Sequence, residues 1–185
     1  MATYTSLRGA KRQQGAVLAV SLILLLVMTM LAISGGQAVR MQERMAGNLR
    51  DVDLALQGAE AGLRDAERNI DALTSWPTWC TSATATGCDM FDIGVLRTTA
   101  AFDLRIEGQT WWNASARDYR GATSLGGIAR DPQFVIERAA QICDTGEAPC
   151  SEGDTLYYFR NTARSPGATS VADVRLESTY VRRGP

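Results

Sequence analysis

Histidine is absent from the 185 residues, and lysine occurs once, at Lys11. These two absences remove imidazole acid–base catalysis, histidine metal sites and lysine Schiff-base chemistry from the body of the protein. Positive charge in excess is also missing. The chain has a net charge of -1. Residues 1–15 hold Arg8, Lys11 and Arg12 and no acidic residue, so the remainder is more acidic still. No basic run follows, which argues against a body that binds nucleic acid directly. No CxxC pair occurs among the four cysteines, so a four-cysteine zinc site has no spacing to support it. Charge of either sign is missing from Gln13 through Val39.

That charge-free run is what the sequence has in place of chemistry. RQQGAVLAVSLILLLVMTMLAISGG, Arg12 to Gly36, is almost wholly apolar from Ala16 to Ile33. A helix needs roughly 20 such residues to cross a bilayer, whereas a secretory signal has an apolar core of about 7–15. Ala32-Ile33-Ser34 imitates a signal cleavage site only weakly. Positive charge before the run predicts a cytoplasmic N-terminus and an exterior position for everything after Gly36. A basic, polar leader ending in Gly15, followed at once by the apolar segment, resembles the leader of type IV prepilins. That resemblance implies a cut between Gly15 and Ala16 by a prepilin peptidase, with the apolar segment kept. The rival is an uncleaved anchor.

The next stretch repeats apolar or small residues at Met45, Leu49, Val52, Leu56, Ala59, Leu63, Ala66 and Ile70, in steps that alternate four and three. This is a helical stripe of heptad type. It predicts one nearly continuous helix from Ala16 to Leu73, about 87 Å long at the standard rise. Gly35, Gly36 and Gly47 are weak points in it. The stripe has two candidate partners: the chain's own sheet beyond Leu56, or equivalent helices of other subunits. For the second, Ala46, Ala55, Gly58, Ala59, Ala61 and Gly62 would allow close approach, with GxxxG at Gly58–Gly62.

The residues Arg12 to Glu67, and above all MAGNLRDVDLALQGAEAGLRDAE (Met45–Glu67), resemble the N-terminus of the PilX family of type IV pilus minor pilins. DPQFVIE (Asp131–Glu137) and YYFRNTARSPGATSVADVRLESTYVRR (Tyr157–Arg183) resemble that family's sheet segments. Residues 69–130 carry no resemblance. One position departs from the general pilin pattern. Most pilins place a Glu at the fifth mature position, whose carboxylate is thought to pair with a neighbour's N-terminal amine. Here that position is Val20, followed by Ser21. A plain apolar residue makes a better anchor but removes the pairing device. Since tip subunits of type II secretion also lack this Glu, the resemblance implies a subunit at or near a pilus tip.

Beyond the stem, Ser75–Thr99 reads as loop, with Pro77 and Gly87 and many Ser and Thr. Trp76 and Trp79 are expected to cover the end of a sheet. Strands are predicted at Phe102–Glu107, Gln133–Ile142, Thr155–Ala163 and Val171–Arg182. In the last, Val174, Leu176, Ser178 and Tyr180 point one way and Asp173, Arg175, Glu177 and Thr179 the other. A sheet with one wet face and one face on the helix explains that alternation. Ser165-Pro166-Gly167 reads as the turn of a hairpin. The fold class is therefore α+β and pilin-like: a long N-terminal transmembrane and stem helix packed on an antiparallel β-sheet. The expected division is a cytoplasmic leader over 1–15, the membrane half of the helix over 16–36, an amphipathic stem over 37–73, and a periplasmic domain over 74–185.

The cysteines lie as two pairs close in sequence, Cys80 with Cys88 and Cys143 with Cys150. Four cysteines allow three connectivities. An oxidising compartment and short loops favour the two local bridges, with a bridge between the pairs as the alternative. Asp144, Glu147, Glu152 and Asp154 crowd the second loop. Their spacing fits no EF-hand, and a solvated acidic loop is the simpler reading. Asn113-Ala114-Ser115 matches a glycosylation sequon, a match common by chance. No spacing of Ser, Asp or Glu suggests an activated nucleophile or an acid–base pair, and the expectation is no enzyme, no cofactor and no metal.

The function expected is that of a minor pilin in type IV pilus assembly. The resemblance implies other minor pilins, the major pilin and a large PilY-type tip adhesin as partners, a priming complex at the tip, and roles in twitching motility or adhesion downstream. The expected location is the inner membrane, single-pass, then the pilus. The alternatives are a minor pseudopilin of type II secretion and a membrane-tethered binding module that does not polymerise.

Overall fold

The computed structural model describes residues 14–97, 102–104, 106–121, 124–146, 150 and 152–184, with Gln14, Gly15 and Glu152 described by backbone alone. Helix α1 spans Gln14–Asp71. The chain divides into two compact units, one ending at Gly47 and the other beginning at Asn48. In the first unit every side chain from Ala16 onward is exposed. Gly35, Gly36 and Gly47 all remain helical, and a Cβ at any of them would meet nothing within 4 Å.

The second unit begins with the stem end of α1 and continues into a sheet. Its strands are β1 (Trp79–Cys80), β2 (Met90–Phe91), β3 (Arg117–Asp118), β4 (Gln133–Cys143), β5 (Thr155–Pro166) and β6 (Asp173–Arg183). They are ordered β1-β2-β4-β5-β6, with β3 paired to β4. The three long strands are antiparallel, while β1–β2 and β2–β4 are parallel, so the sheet is mixed where an antiparallel one was expected. The parallel pairings are short; β2 meets β4 only at Phe91↔Glu137.

The hairpin turn is displaced from its predicted place. β5 runs through Pro166, which pairs with Asp173, and the connection is 167–172, closed by the Gly167 N–H to the Ala172 carbonyl at 3.1 Å. Proline is tolerated there because the β4–β5 ladder stops at Gln133↔Arg164, so no partner on that side needs its missing N–H. Gly167 is required by proximity: a Cβ there would run into Asp51 on α1.

Both sheet faces are covered in part. On one, Ala66 and Ile70 of α1 pack with Met90, Phe134, Ile136, Tyr157, Phe159 and Ala163. Trp76 and Trp79 are half-buried at the edge of this cluster, with the Trp76 ring centroid 4.4 Å from that of Tyr157. On the other face, Cys80, Phe91, Leu96, Leu104, Trp112 and Val135 form a second cluster. The predicted wet face is thus covered over this part, and the cover comes from the stretch between the segments on which the resemblance was read. The strand expected at Phe102–Glu107 is not formed by its described residues. The carbonyls of Leu104 and Glu107 accept instead from the Arg175 guanidinium, at 3.1 and 3.0 Å. That side chain replaces a ladder partner, and the segment packs Leu104 inward while Ile106 stays 80% exposed. A short helix, α2 (Gln109–Ser115), inserts the fully buried Trp112.

Candidate functional site

No catalytic constellation was expected, and the features that bear on function lie along α1. In its apolar run the only polar side chains before Ser34 are Ser21 and Thr29. Each hydroxyl donates back to a carbonyl of its own helix, Ser21 to Leu18 at 2.9 Å and Thr29 to Leu26 at 2.8 Å. Both donors are therefore satisfied without water or a partner, as a helix in hydrocarbon requires. This one helix is long and apolar enough to cross a membrane. Gly15 and Ala16 lie in its first turn, and Val20 is 55% exposed. The leader's charges, Arg8, Lys11 and Arg12, lie outside the described residues.

The stem carries two apolar faces of different size. The face against the sheet is made of small residues: Ala55, Gly58, Ala59, Gly62 and Ala66 are buried, followed by Ile70. A Cβ at Gly58 would run into the Ser165 side chain, and one at Gly62 would sit 3.1 Å from Ala163 Cβ. The GxxxG pair that sequence offered to a neighbouring helix is thus spent on the chain's own β5. About a quarter turn away on the helical wheel lies the larger set. Met45, Leu49, Val52 and Leu56 are exposed, at 58, 72, 50 and 37%. Of the predicted packing stripe, then, Ala59 is in the core, Leu63 is half-buried against it, and the other four face outward. Sequence reasoning merged the two faces into one. The signal that separates them is the heptad spacing of Ala55, Ala59, Gly62 and Ala66, all small.

The stem is fixed to the sheet by polar ties at each end. Near its start, Asp51 accepts from the Thr169 N–H at 2.9 Å and hydroxyl at 2.5 Å. The Thr169 hydroxyl, followed by its backbone N–H, holds the Asp51 carboxyl below its ordinary range. At the C-terminus, Arg182 donates to the carbonyls of Ile70 and Leu73, the latter at 2.8 Å. The Ile70 carbonyl also accepts from the Leu73 N–H at 3.2 Å, and the guanidinium places a cation at the helix C-terminus. Tyr180 donates to Asp71 at 2.6 Å, and that bond to a carboxylate raises the phenol's pKa.

Asp65 is a buried carboxylate that sequence patterning passed over. It accepts from the Arg120 N–H at 2.8 Å and from Arg68 at 3.1 Å. Beside it, Asn69, Asp89, Arg117, Asp118, Arg120 and Phe134 line a polar cavity of about 210 Å³. Arg117 is tied to Asp89 at 2.5 Å and to Asn69 at 3.2 Å, so its charge serves the fold. On the opposite face of the sheet Glu137 is buried, held by the Leu96 N–H at 3.1 Å and by Arg160 at 2.7 Å. At Asp92, burial pushes the carboxyl up. The Arg138 hydrogen bond, the Ile93 N–H and the guanidinium charge outweigh it and leave the carboxyl lowered.

The structure contains Cys80–Cys88 and Cys143–Cys150 disulfides, each with Cα atoms 5.5 Å apart. In the second loop Asp144 pairs with Arg183; Glu147 and the side chain of Glu152 lie outside the described residues. Asn113 of the sequon accepts from Gln109 at 2.5 Å.

A long helix, apolar at its N-terminal end and packed at its stem on a sheet, defines a pilin-like subunit with a single-span anchor. Residues 14–64 match the PilX N-terminal family and residues 62–182 match the family described as type IV pilus assembly protein PilX, C-terminal. The chain belongs to the PilX family. No curated protein and no solved structure matches it.

Proposed function

We propose that this minor pilin is held in the inner membrane by residues 16–36, with its sheet domain in the periplasm, and enters the pilus at its tip. The observation that carries the reading is the exposed row Leu49, Val52 and Leu56, lying beside a stem face already filled by the sheet. Three large apolar side chains on one side of a surface helix cost solvation unless another surface covers them. Equivalent helices of the other minor pilins and the major pilin supply such a surface in a fibre core.

Prepilin peptidase would cut between Gly15 and Ala16, freeing the amine of Ala16 and leaving the helix in place. Val20 gives no carboxylate for pairing with a neighbour's amine, which favours a position at the end of the filament over one repeated in the shaft. A large PilY-type tip adhesin would then sit on the exposed end of the complex, with adhesion and twitching motility as consequences.

The test is the intact mass of the protein from membranes of cells with and without the peptidase. A chain beginning at Ala16 only when the peptidase is present is the expected result. A chain beginning near Met1 in both strains would make it a plain anchor. A start after Ser34 would make it an exported soluble protein.

A further inference from the structure

The charge-free run ends at Arg40, and the next cation on the same helix side is Arg44. With Gln37 and Met41 they line one face of α1, around an open hollow of about 230 Å³. Spacings of three and four residues put these side chains one above another. Neither arginine takes part in an ion pair or hydrogen bond among the described residues, and Glu43, the nearest carboxylate, pairs with neither. The other stem cations differ: Arg64 has Glu60 at 3.6 Å and Arg68 has Asp65.

We infer that Arg40 and Arg44 bind phospholipid headgroup phosphates on the exterior leaflet. The inference rests on the reading of residues 16–36 as a membrane anchor. The distance argument is direct. The strongly apolar residues 16–33 rise about 27 Å, close to the hydrocarbon thickness of about 30 Å. Residues 34–39 add about 9 Å, which places Arg40 near the outer edge of the headgroup layer. Helical side chains lean toward the helix N-terminus, so both guanidiniums reach back toward the bilayer. Two planar donors about 6 Å apart along the axis match phosphates better than they match water alone, because a guanidinium binds a phosphate through paired N–H groups. The contact would fix the depth of the waiting subunit, and it must break when the helix leaves the membrane.

The experiment uses the full chain in nanodiscs made from equal amounts of phosphatidylglycerol and phosphatidylcholine. Native mass spectrometry counts the lipids released with the protein. The wild type should retain phosphatidylglycerol. The Arg40→Gln/Arg44→Gln variant should retain it about twenty-five-fold less well, taking about fivefold per arginine near an anionic surface. Arg50→Gln, about 9 Å further along the helix than Arg44 and so beyond reach of the headgroups, should match wild type. Inorganic phosphate should not displace the lipid. Equal retention by wild type and double variant in proteins that both sit in the discs would overturn the headgroup site and leave the anchor reading standing. Displacement by inorganic phosphate would overturn the assignment to lipid. Failure of the wild type to enter the discs would overturn the anchor and the site together.

Discussion

Two faces of the stem, about a quarter turn apart on one helix, have opposite fates. The small face, Ala55, Gly58, Ala59, Gly62 and Ala66, is buried; the large face, Leu49, Val52 and Leu56, is exposed. Hydrophobicity alone would reverse that order, since the larger side chains gain more from leaving water. What decides it is distance. β5 approaches the helix so closely that a Cβ at 58 would run into Ser165 and one at 62 would press on Ala163 at 3.1 Å. The large residues cannot enter that contact, and they remain outside for a surface that the single chain does not contain.

The comparison breaks first at Gly58. Gly58→Val puts two methyls into the Ser165 side chain and forces helix and sheet apart. Overpacking of this kind costs about 3 kcal/mol, read as a lowered midpoint of denaturation for the full chain in detergent. An unchanged midpoint would mean that the stem is not seated on β5. Arg182→Ala comes next. It removes the side-chain donor shared by the carbonyls of Ile70 and Leu73, of which Ile70 keeps the Leu73 N–H, and it takes a cation from the helix C-terminus, at a cost of about 1–2 kcal/mol. Amide exchange over the last turn of α1 should accelerate more than exchange at Gly58.

The exposed face should behave the other way. Leu49→Gln, Val52→Gln and Leu56→Gln together should change stability by less than about 0.5 kcal/mol, as surface substitutions do. They should nonetheless reduce the number of pili per cell, counted by electron microscopy. A large loss of stability would place these side chains in the fold, and normal piliation would leave them without an assembly role.

Much of this was legible in the sequence because it rests on local regularities. The apolar run Ala16–Ile33 and the alternation of Val174 to Tyr180 each follow from a fixed period. The segment 102–121 was not legible, because its order comes from distant partners. Leu104 and Glu107 are held by Arg175, some 70 residues away, and α2 exists to seat Trp112 under β4. The turn after β5 was misplaced because Pro166 reads as a breaker, yet the ladder beside it had already ended. The small face of the stem was visible as letters. Its partner was not, since GxxxG states close approach without naming what approaches.

The tie nearest the exposed row is Asp51, which precedes Val52 in sequence and bonds Thr169. Its carboxylate holds the 167–172 connection through Thr169. The carboxyl is lowered in the folded protein, so the unfolded chain binds more protons at acid pH. The stabilisation is complete above the unfolded carboxyl's pKa of about 3.9 and is lost as pH falls through the lower folded value. Asp51→Asn keeps an acceptor for the Thr169 N–H and removes the titration. Amide protection over 167–172 should exceed that of the Asn variant at neutral pH and converge with it in acid. A difference between the two proteins that stays constant from neutral to acid pH would mean that the carboxylate does not hold this connection, and that Gly167 alone sets the approach.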